Sequence, residues 1–80
     1  MGHSDFRVAI LMLLSQRAPG KTICPSEVLP KELKKDKLMM EQVRESARKL
    51  VTEGLIEITQ AGEPVDPHSF KGAIRLRLKT

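Results

Sequence analysis

Four polar or basic side chains in the middle of the chain have the chemistry needed to recognise nucleic acid. They are Gln42, Arg44, Arg48 and Lys49, and their spacing places them away from the apolar stripe of a predicted helix. Such side chains donate hydrogen bonds to base edges and phosphate oxygens when a helix enters the major groove. The pattern therefore predicts groove contacts with duplex DNA.

The same face also has a simpler interpretation as a solvated or protein-contacting surface. Glu41 lies three residues before Arg44, and Glu45 lies three before Arg48 and four before Lys49. Oppositely charged residues at these spacings pair along a helix. Two acidic side chains would also repel phosphates unless they accept hydrogen bonds from cytosine amines. Both interpretations stay open at this point.

Two other groups of basic residues flank this helix along the chain. Lys34 and Lys35 lie in a lysine-rich segment just before it, where phosphate contacts are common, although such a segment can also serve solubility alone. Arg75 and Arg77 alternate with apolar residues near the C-terminus. They could bind phosphate, or they could pair with Glu57 across neighbouring strands.

Other kinds of chemistry have little support in the sequence. There is no glycine-rich phosphate loop and no nucleophile beside a recognisable base, so we predict neither an enzyme nor a cofactor. His3 and His68 have no companions at metal-ligand spacing, which argues against a metal site. Cys24 is the only cysteine, and it is most simply a small buried residue.

The predicted helix begins near Leu38 and organises the rest of the chain. Its apolar residues recur every three or four positions, as expected for one buried stripe. Gly54 should end the helix because glycine readily adopts the left-handed conformation found after helix ends. The period then changes to two, which predicts a strand over 55–60.

A first helix should run from Ser4 or Asp5, either of which could cap it, to about Arg17. One of its faces is predicted to be core and consists of Phe6, Ala9, Ile10, Leu13 and Leu14. The opposite face is also apolar and consists of Val8, Leu11 and Met12. These three residues form either a homodimer interface or a surface buried by the C-terminal strand or the wing.

The remaining segments complete a winged helix-turn-helix of the α+β class, with three helices and a β-hairpin wing. Residues 21–23 form a short extended piece, and a helix starting near Cys24 is broken by Pro30. The alternation over 73–79 predicts a strand that returns antiparallel beside 55–60. Residues 1–80 form one domain, of which 1–4 should be disordered or derived from an expression vector.

The charge of the chain bears on nucleic-acid binding. The net charge is +4, which permits such binding without requiring it. The predicted wing over 61–70 is acidic, which counts against DNA binding.

We expect a cytoplasmic protein without a membrane anchor. The apolar run from Val8 to Leu14 is far shorter than the roughly 20 residues that span a bilayer. The single cysteine suits a reducing compartment.

Three segments, KTICPSEV, VRESARKLVTEGLIEITQAGEPVDP and KGAIRLRL, resemble a family of small bacterial domains of unknown function. The resemblance covers about residues 7–78 and implies a winged-helix fold, without implying an activity. Many members have an aromatic residue ahead of the long helix, where this chain has Lys37 and Leu38. Aliphatic packing should replace an aromatic anchor there.

The sequence favours binding of double-stranded DNA, with a transcription-associated role suggested by fold analogy. The alternative is a protein–protein interaction module that uses the winged-helix shape without nucleic acid. The basic residues favour the first hypothesis. The acidic wing and the second apolar face of helix one favour the second.

Overall fold

A computed structural model describes residues 5–79 and has the predicted α+β class. Within these residues two α-helices and two short 3-10 helices pack on a four-stranded antiparallel sheet. The elements in chain order are α1 (Arg7–Ser15), β1 (Thr22–Ile23), the 3-10 helices Pro25–Val28 and Lys31–Leu33, α2 (Lys37–Thr52), β2 (Ile56–Gln60), β3 (Glu63–Pro64) and β4 (Arg75–Leu78). Predictions for residues 1–4, including a Ser4 cap, lie outside the described residues.

Helix α2 has a defined start and a defined end. The Asp36 carboxylate accepts hydrogen bonds from the backbone N–H groups of Leu38, at 3.0 Å, and Met39, at 3.1 Å, so it satisfies amides that have no partner within the helix. At the other end Gly54 has a φ of 78°, and the Leu55 N–H donates to Leu50 O at 3.0 Å. This is the predicted glycine stop, in the form of a Schellman motif.

The predicted pairing of the two long strands is confirmed. Strands β2 and β4 are antiparallel, with Ile56 opposite Leu78 and Ile58 opposite Leu76. The sheet order is β1-β4-β2-β3, so the short extended piece at Thr22–Ile23 becomes an edge strand on β4. The sheet is therefore larger than the two-stranded hairpin predicted from the sequence.

Strand β3 was missed because the turn before it has no strong signal in the sequence. Ala61 and Gly62 both have positive φ, 52° and 82°, which allows a two-residue connection from β2. Asparagine or aspartate is the usual partner of glycine in such a turn, and alanine is unusual at positive φ. The segment 61–70 was therefore predicted to be a loop throughout.

The predicted second helix is also different in the structure. Two 3-10 helices replace it, and they are separated by Leu29 and Pro30 in extended conformations, with ψ of 144° and 158°. Proline lacks an N–H donor and disfavours a helical conformation in the residue before it. The break at Pro30 is thus confirmed, whereas three α-helices with a single hairpin is too simple a description.

The core lies between the helices and one face of the sheet. Its fully buried side chains include Ile10 and Leu14 from α1, Val43 and Leu50 from α2, and Leu76 from β4.

None of the helices within residues 5–79 combines the length and the hydropathy that a membrane span requires.

Helix α1 ends at Ser15, two residues earlier than predicted, and its second face is only partly buried. The N-cap residue is Phe6 and not the predicted Asp5, although Asp5 Oδ1 accepts a hydrogen bond from the Arg7 N–H at 3.0 Å. Val8 and Met12 are 68% and 57% exposed, so their predicted burial by the last strand or the wing is wrong. Leu11 differs from them, because it is half-buried and packs against the core.

Candidate nucleic-acid interface

A line of exposed residues runs along the outer side of α2. Leu38, Glu41, Glu45 and Lys49 are exposed along it, at steps of three or four residues that align side chains on one face of a helix. Gln42 lies beside them and is half-buried. A long helix with one open side has the shape needed to enter a groove or to contact a partner.

Arg48 is bound mainly by its own protein. Its Nη1 lies 3.0 Å from both Glu41 Oε2 and Glu45 Oε1, and its Nε donates to Pro67 O at 3.0 Å. The guanidinium also lies over the Phe70 ring, with Cζ 5.6 Å from the ring centroid. Its side chain is only 18% exposed, so Arg48 joins α2 to the loop over 66–70.

The charge state of Arg48 follows from these contacts. Burial lowers the pKa of the guanidinium, but the hydrogen bonds and negative charges of Glu41 and Glu45 outweigh this effect. The pKa therefore lies above its ordinary value, and Arg48 stays charged. The ion pair predicted between Glu45 and Arg48 is confirmed.

The other basic residues of α2 differ in how far they are engaged. Arg44 is half-buried, with Nη1 3.8 Å from Glu41 Oε1, and its buried Nε has no hydrogen-bond partner. The Lys49 side chain is exposed, and its ammonium group makes no hydrogen bond or ion pair with the described residues, although its charge helps to lower the pKa of Asp5. The charged group of Lys49 is therefore more available to a partner than the guanidinium of Arg44.

The two arginines of β4 have different partners. Arg77 Nη2 lies 2.7 Å from Glu57 Oε1 across the β2–β4 pair, as the alternative interpretation predicted. Arg75 does not share this carboxylate. Its Nε donates to Thr22 Oγ1 at 2.9 Å, and its Nη1 lies 2.9 Å from Cys24 Sγ. Both partners lie on the β1 side of the sheet, a direction that sequence reasoning missed because β1 was not predicted to pair.

Lys34 and Lys35 lie in an exposed turn directly before α2. The turn is held by backbone hydrogen bonds, including one from the Asp36 N–H to Leu33 O at 3.0 Å. Neither lysine has an ion pair among residues 5–79. The neighbouring Asp36 carboxylate is directed to the first amides of α2.

A shallow cavity of about 240 Å³ lies beside the C-terminal half of α2. Its lining mixes both signs of charge and consists of Arg7, Glu45, Arg48, Lys49, Thr52, Glu53 and His68. Arg7 Nη1 lies 3.2 Å from Glu53 Oε2, so part of this charge is paired. In the part of the chain that the structure describes, which excludes His3, no three His, Cys, Asp or Glu residues cluster as metal ligands would.

Comparison with known proteins assigns the chain to a family. The profile of a protein family described as "Protein of unknown function (DUF3253)" matches residues 3–79. The chain belongs to the DUF3253 family. This match spans nearly the same residues as the resemblance found in the three sequence segments. No curated protein matches this DUF3253 domain.

Proposed function

We propose that this DUF3253 domain is a winged helix that binds double-stranded DNA. The order of helix, strand, 3-10 pair, helix, strand, loop and strand supports this fold, with the two 3-10 helices in place of the second helix. The sheet order β1-β4-β2 also supports it, because the last strand lies between the first strand and the strand that follows α2. We further propose that the protein is bacterial and cytoplasmic. In this proposal it has a transcription-associated role through DNA binding and is not an enzyme.

The observation that carries this proposal is the set of exposed lysines around the open side of α2. Lys34 and Lys35 precede the helix, and Lys49 lies on its outer side. Ammonium groups without a protein partner can neutralise phosphates and release counterions from DNA, and this release supplies most of the non-specific affinity. In this arrangement Lys34 and Lys35 bind the backbone, while Gln42 and Lys49 contact the groove.

The arginines have separate roles in this proposal. Arg75 forms no ion pair within the described residues, although its charge helps to lower the pKa of the nearby Glu27 carboxyl. It therefore suits a phosphate contact. Arg77 is partly neutralised by Glu57 and contributes less. Arg44 reaches the backbone from the flank of α2, and Arg48 acts as a positioning residue that holds the loop over 66–70 against the helix.

A titration followed by ¹⁵N–¹H NMR would test the proposed surface. Adding a mixed-sequence duplex at low salt should shift the amide signals of the lysine turn and of the outer side of α2, including Lys35, Gln42 and Lys49. Signals of α1 around Val8 and Met12 should stay in place. Shifts confined to α1, or no shifts at all, would contradict the proposed interface.

The exposed apolar residues of α1 support a second candidate function. Val8 and Met12 expose apolar side chains on α1, and contiguous exposed apolar surface marks interaction sites more often than the rest of a protein surface. In this alternative the domain is a protein–protein interaction module, and its partner is a second copy that packs against the same residues.

A further inference from the structure

Leu38 is an apolar side chain at the start of α2 that the core does not use. It is 68% exposed and is not among the partly buried residues that pack against the core, whereas its neighbours Met39 and Met40 are. The helix therefore does not need a leucine at this position for folding.

The backbone at Leu38 is nevertheless well fixed. Its N–H donates to Asp36 Oδ1 at 3.0 Å, so this position forms part of the capped first turn. On an α-helix a side chain shares a face with those at steps of four, seven and eleven. Leu38 therefore lies at the N-terminal end of the line that contains Gln42, Glu45 and Lys49.

Charges near Leu38 indicate the kind of partner it would meet. Lys34, Lys35 and Lys37 are all exposed and lie within four residues of it along the chain. The two acids in the same range are engaged within the protein, because Asp36 accepts from the first amides of α2 and Glu41 pairs with Arg48. An apolar side chain with several ammonium groups close to it along the chain is complementary to a surface that combines an apolar group with dense negative charge. The major groove of DNA has this combination, since pyrimidine methyl groups lie between two phosphate backbones.

We propose that Leu38 is a specificity-determining residue that packs against the 5-methyl group of a pyrimidine in the major groove. The N-terminal residues of a recognition helix are those that contact base edges, and Leu38 is the second residue of α2. The inference rests on the proposed DNA-binding function and adds a base preference to it. Thymine carries this methyl group in ordinary DNA, and 5-methylcytosine presents the same group.

The test compares duplexes that differ only in pyrimidine methyl groups. A preferred duplex is first selected from a randomised library with the wild-type protein. Its affinity is then measured with thymine or with uracil, which lacks the methyl group, and again with cytosine or 5-methylcytosine. We expect one of these methyl groups to increase affinity about fourfold, as burial of one methyl-sized group would.

Leu38→Gln should bind the duplexes with and without the methyl group equally while its thermal midpoint stays at the wild-type value. Leu55→Gln is the matched control, because Leu55 is also an exposed leucine, 44% exposed, but lies beyond the opposite end of α2. This control should keep the wild-type preference.

The outcomes separate this inference from the proposed function. Loss of affinity with uracil assigns the contact to thymine, and a gain with 5-methylcytosine assigns it to a methylated cytosine. Binding that ignores both changes, or a preference that survives in Leu38→Gln, would overturn the role of Leu38 and leave DNA binding intact. If the wild-type protein selects no duplex and binds none at low salt, the proposed function fails and this inference fails with it.

Discussion

The guanidinium of Arg48 lies over the ring of Phe70, with its central carbon 5.6 Å from the ring centroid. Because the same side chain donates to Pro67 O and binds two glutamates of α2, it connects the helix to the loop that follows β3. The sequence predicted Arg48 to be a groove-contacting residue. In the structure its Nε and Nη1 groups instead bind Pro67 O, Glu41 and Glu45.

Replacing Arg48 should therefore destabilise the domain. Arg48→Met removes the cation–π contact and the charge-assisted hydrogen bonds, which together should cost about 1–2 kcal/mol. For a domain of this size, each kcal/mol lowers Tm by about 4–8 °C. Thermal unfolding followed by circular dichroism measures this change. Arg48→Lys keeps the charge but loses the planar stacking. Its Tm should therefore lie between those of the wild type and Arg48→Met.

Lys49 provides the matched control for this experiment. Lys49→Met alters the next residue of the same helix, but its side chain is exposed, so stability should change by about 0.5 kcal/mol or less. An Arg48→Met protein as stable as Lys49→Met would mean that the loop does not depend on Arg48.

Ser46 should contribute to stability through one hydrogen bond from α2 to the residue that precedes α1. Its Oγ accepts from the Phe6 N–H at 3.0 Å, and the side chain is 5% exposed. Ser46→Ala leaves this amide without a partner, which should cost about 1–3 kcal/mol. Urea unfolding measures the loss. A variant with wild-type stability would show that water satisfies the amide.

The pH dependence of stability should include a contribution from Glu27. The Cys24 N–H donates to Glu27 Oε2 at 2.8 Å, and together with Arg17 this holds the pKa of the carboxyl below its ordinary value of 4.5. A carboxyl whose pKa is lowered by folding stabilises the protein fully above its unfolded pKa. This stabilisation is lost as the pH falls through the folded pKa.

Glu27→Gln should consequently lose stability at neutral pH and show a smaller further loss as the pH falls below 4.5. Urea midpoints measured across this range give both quantities. Glu63→Gln is the control, because Glu63 is exposed in β3 and makes no ion pair with the described residues. Equal slopes in wild type and Glu27→Gln would contradict the assignment.

The lysine turn should contribute to DNA affinity without contributing to folding. Replacing both Lys34 and Lys35 by alanine should make the plot of log binding constant against log salt concentration shallower by about 2. Each phosphate contact contributes about 0.9 to the magnitude of this slope. Lys21→Ala serves as the control, because Lys21 is also exposed but lies before β1. Unchanged affinity in the double variant would remove the turn from the interface.

The rival interaction surface on α1 has its own test. If Val8 and Met12 pair with a second copy, Met12→Glu should convert a dimer to a monomer in analytical ultracentrifugation while Tm stays nearly constant. Leu11→Glu is unsuitable for this test, because Leu11 packs against the core and a charge there would destabilise the fold as well as a dimer. A wild-type protein that is monomeric at high concentration would exclude this dimer.

Elements with a strong period were predictable from the sequence, and single contacts were not. The apolar stripe of α2, the stop at Gly54 and the pairing of β2 with β4 follow from local patterns that the tertiary structure does not override. Ala61 in a turn with positive φ has no such pattern, because alanine disfavours that conformation. Strand β3 was hidden for this reason.

The candidate site was less predictable because arginine partners depend on elements that are distant in sequence. Glu57 could be predicted as a partner of Arg77 once antiparallel pairing of the two strands was assumed. Thr22 and Cys24 bind Arg75 only because β1 joins the sheet, and Phe70 meets Arg48 only because an irregular loop folds back on α2. No periodicity or spacing reports either contact.

The most direct test of DNA binding is fluorescence anisotropy of a labelled mixed-sequence duplex titrated with the protein at low and at physiological salt. We predict binding that weakens steeply as salt rises, with a non-specific Kd of about 10⁻⁴ to 10⁻⁶ M near physiological salt. No change in anisotropy at low salt, from a protein with a net charge of +4, would contradict the proposed function.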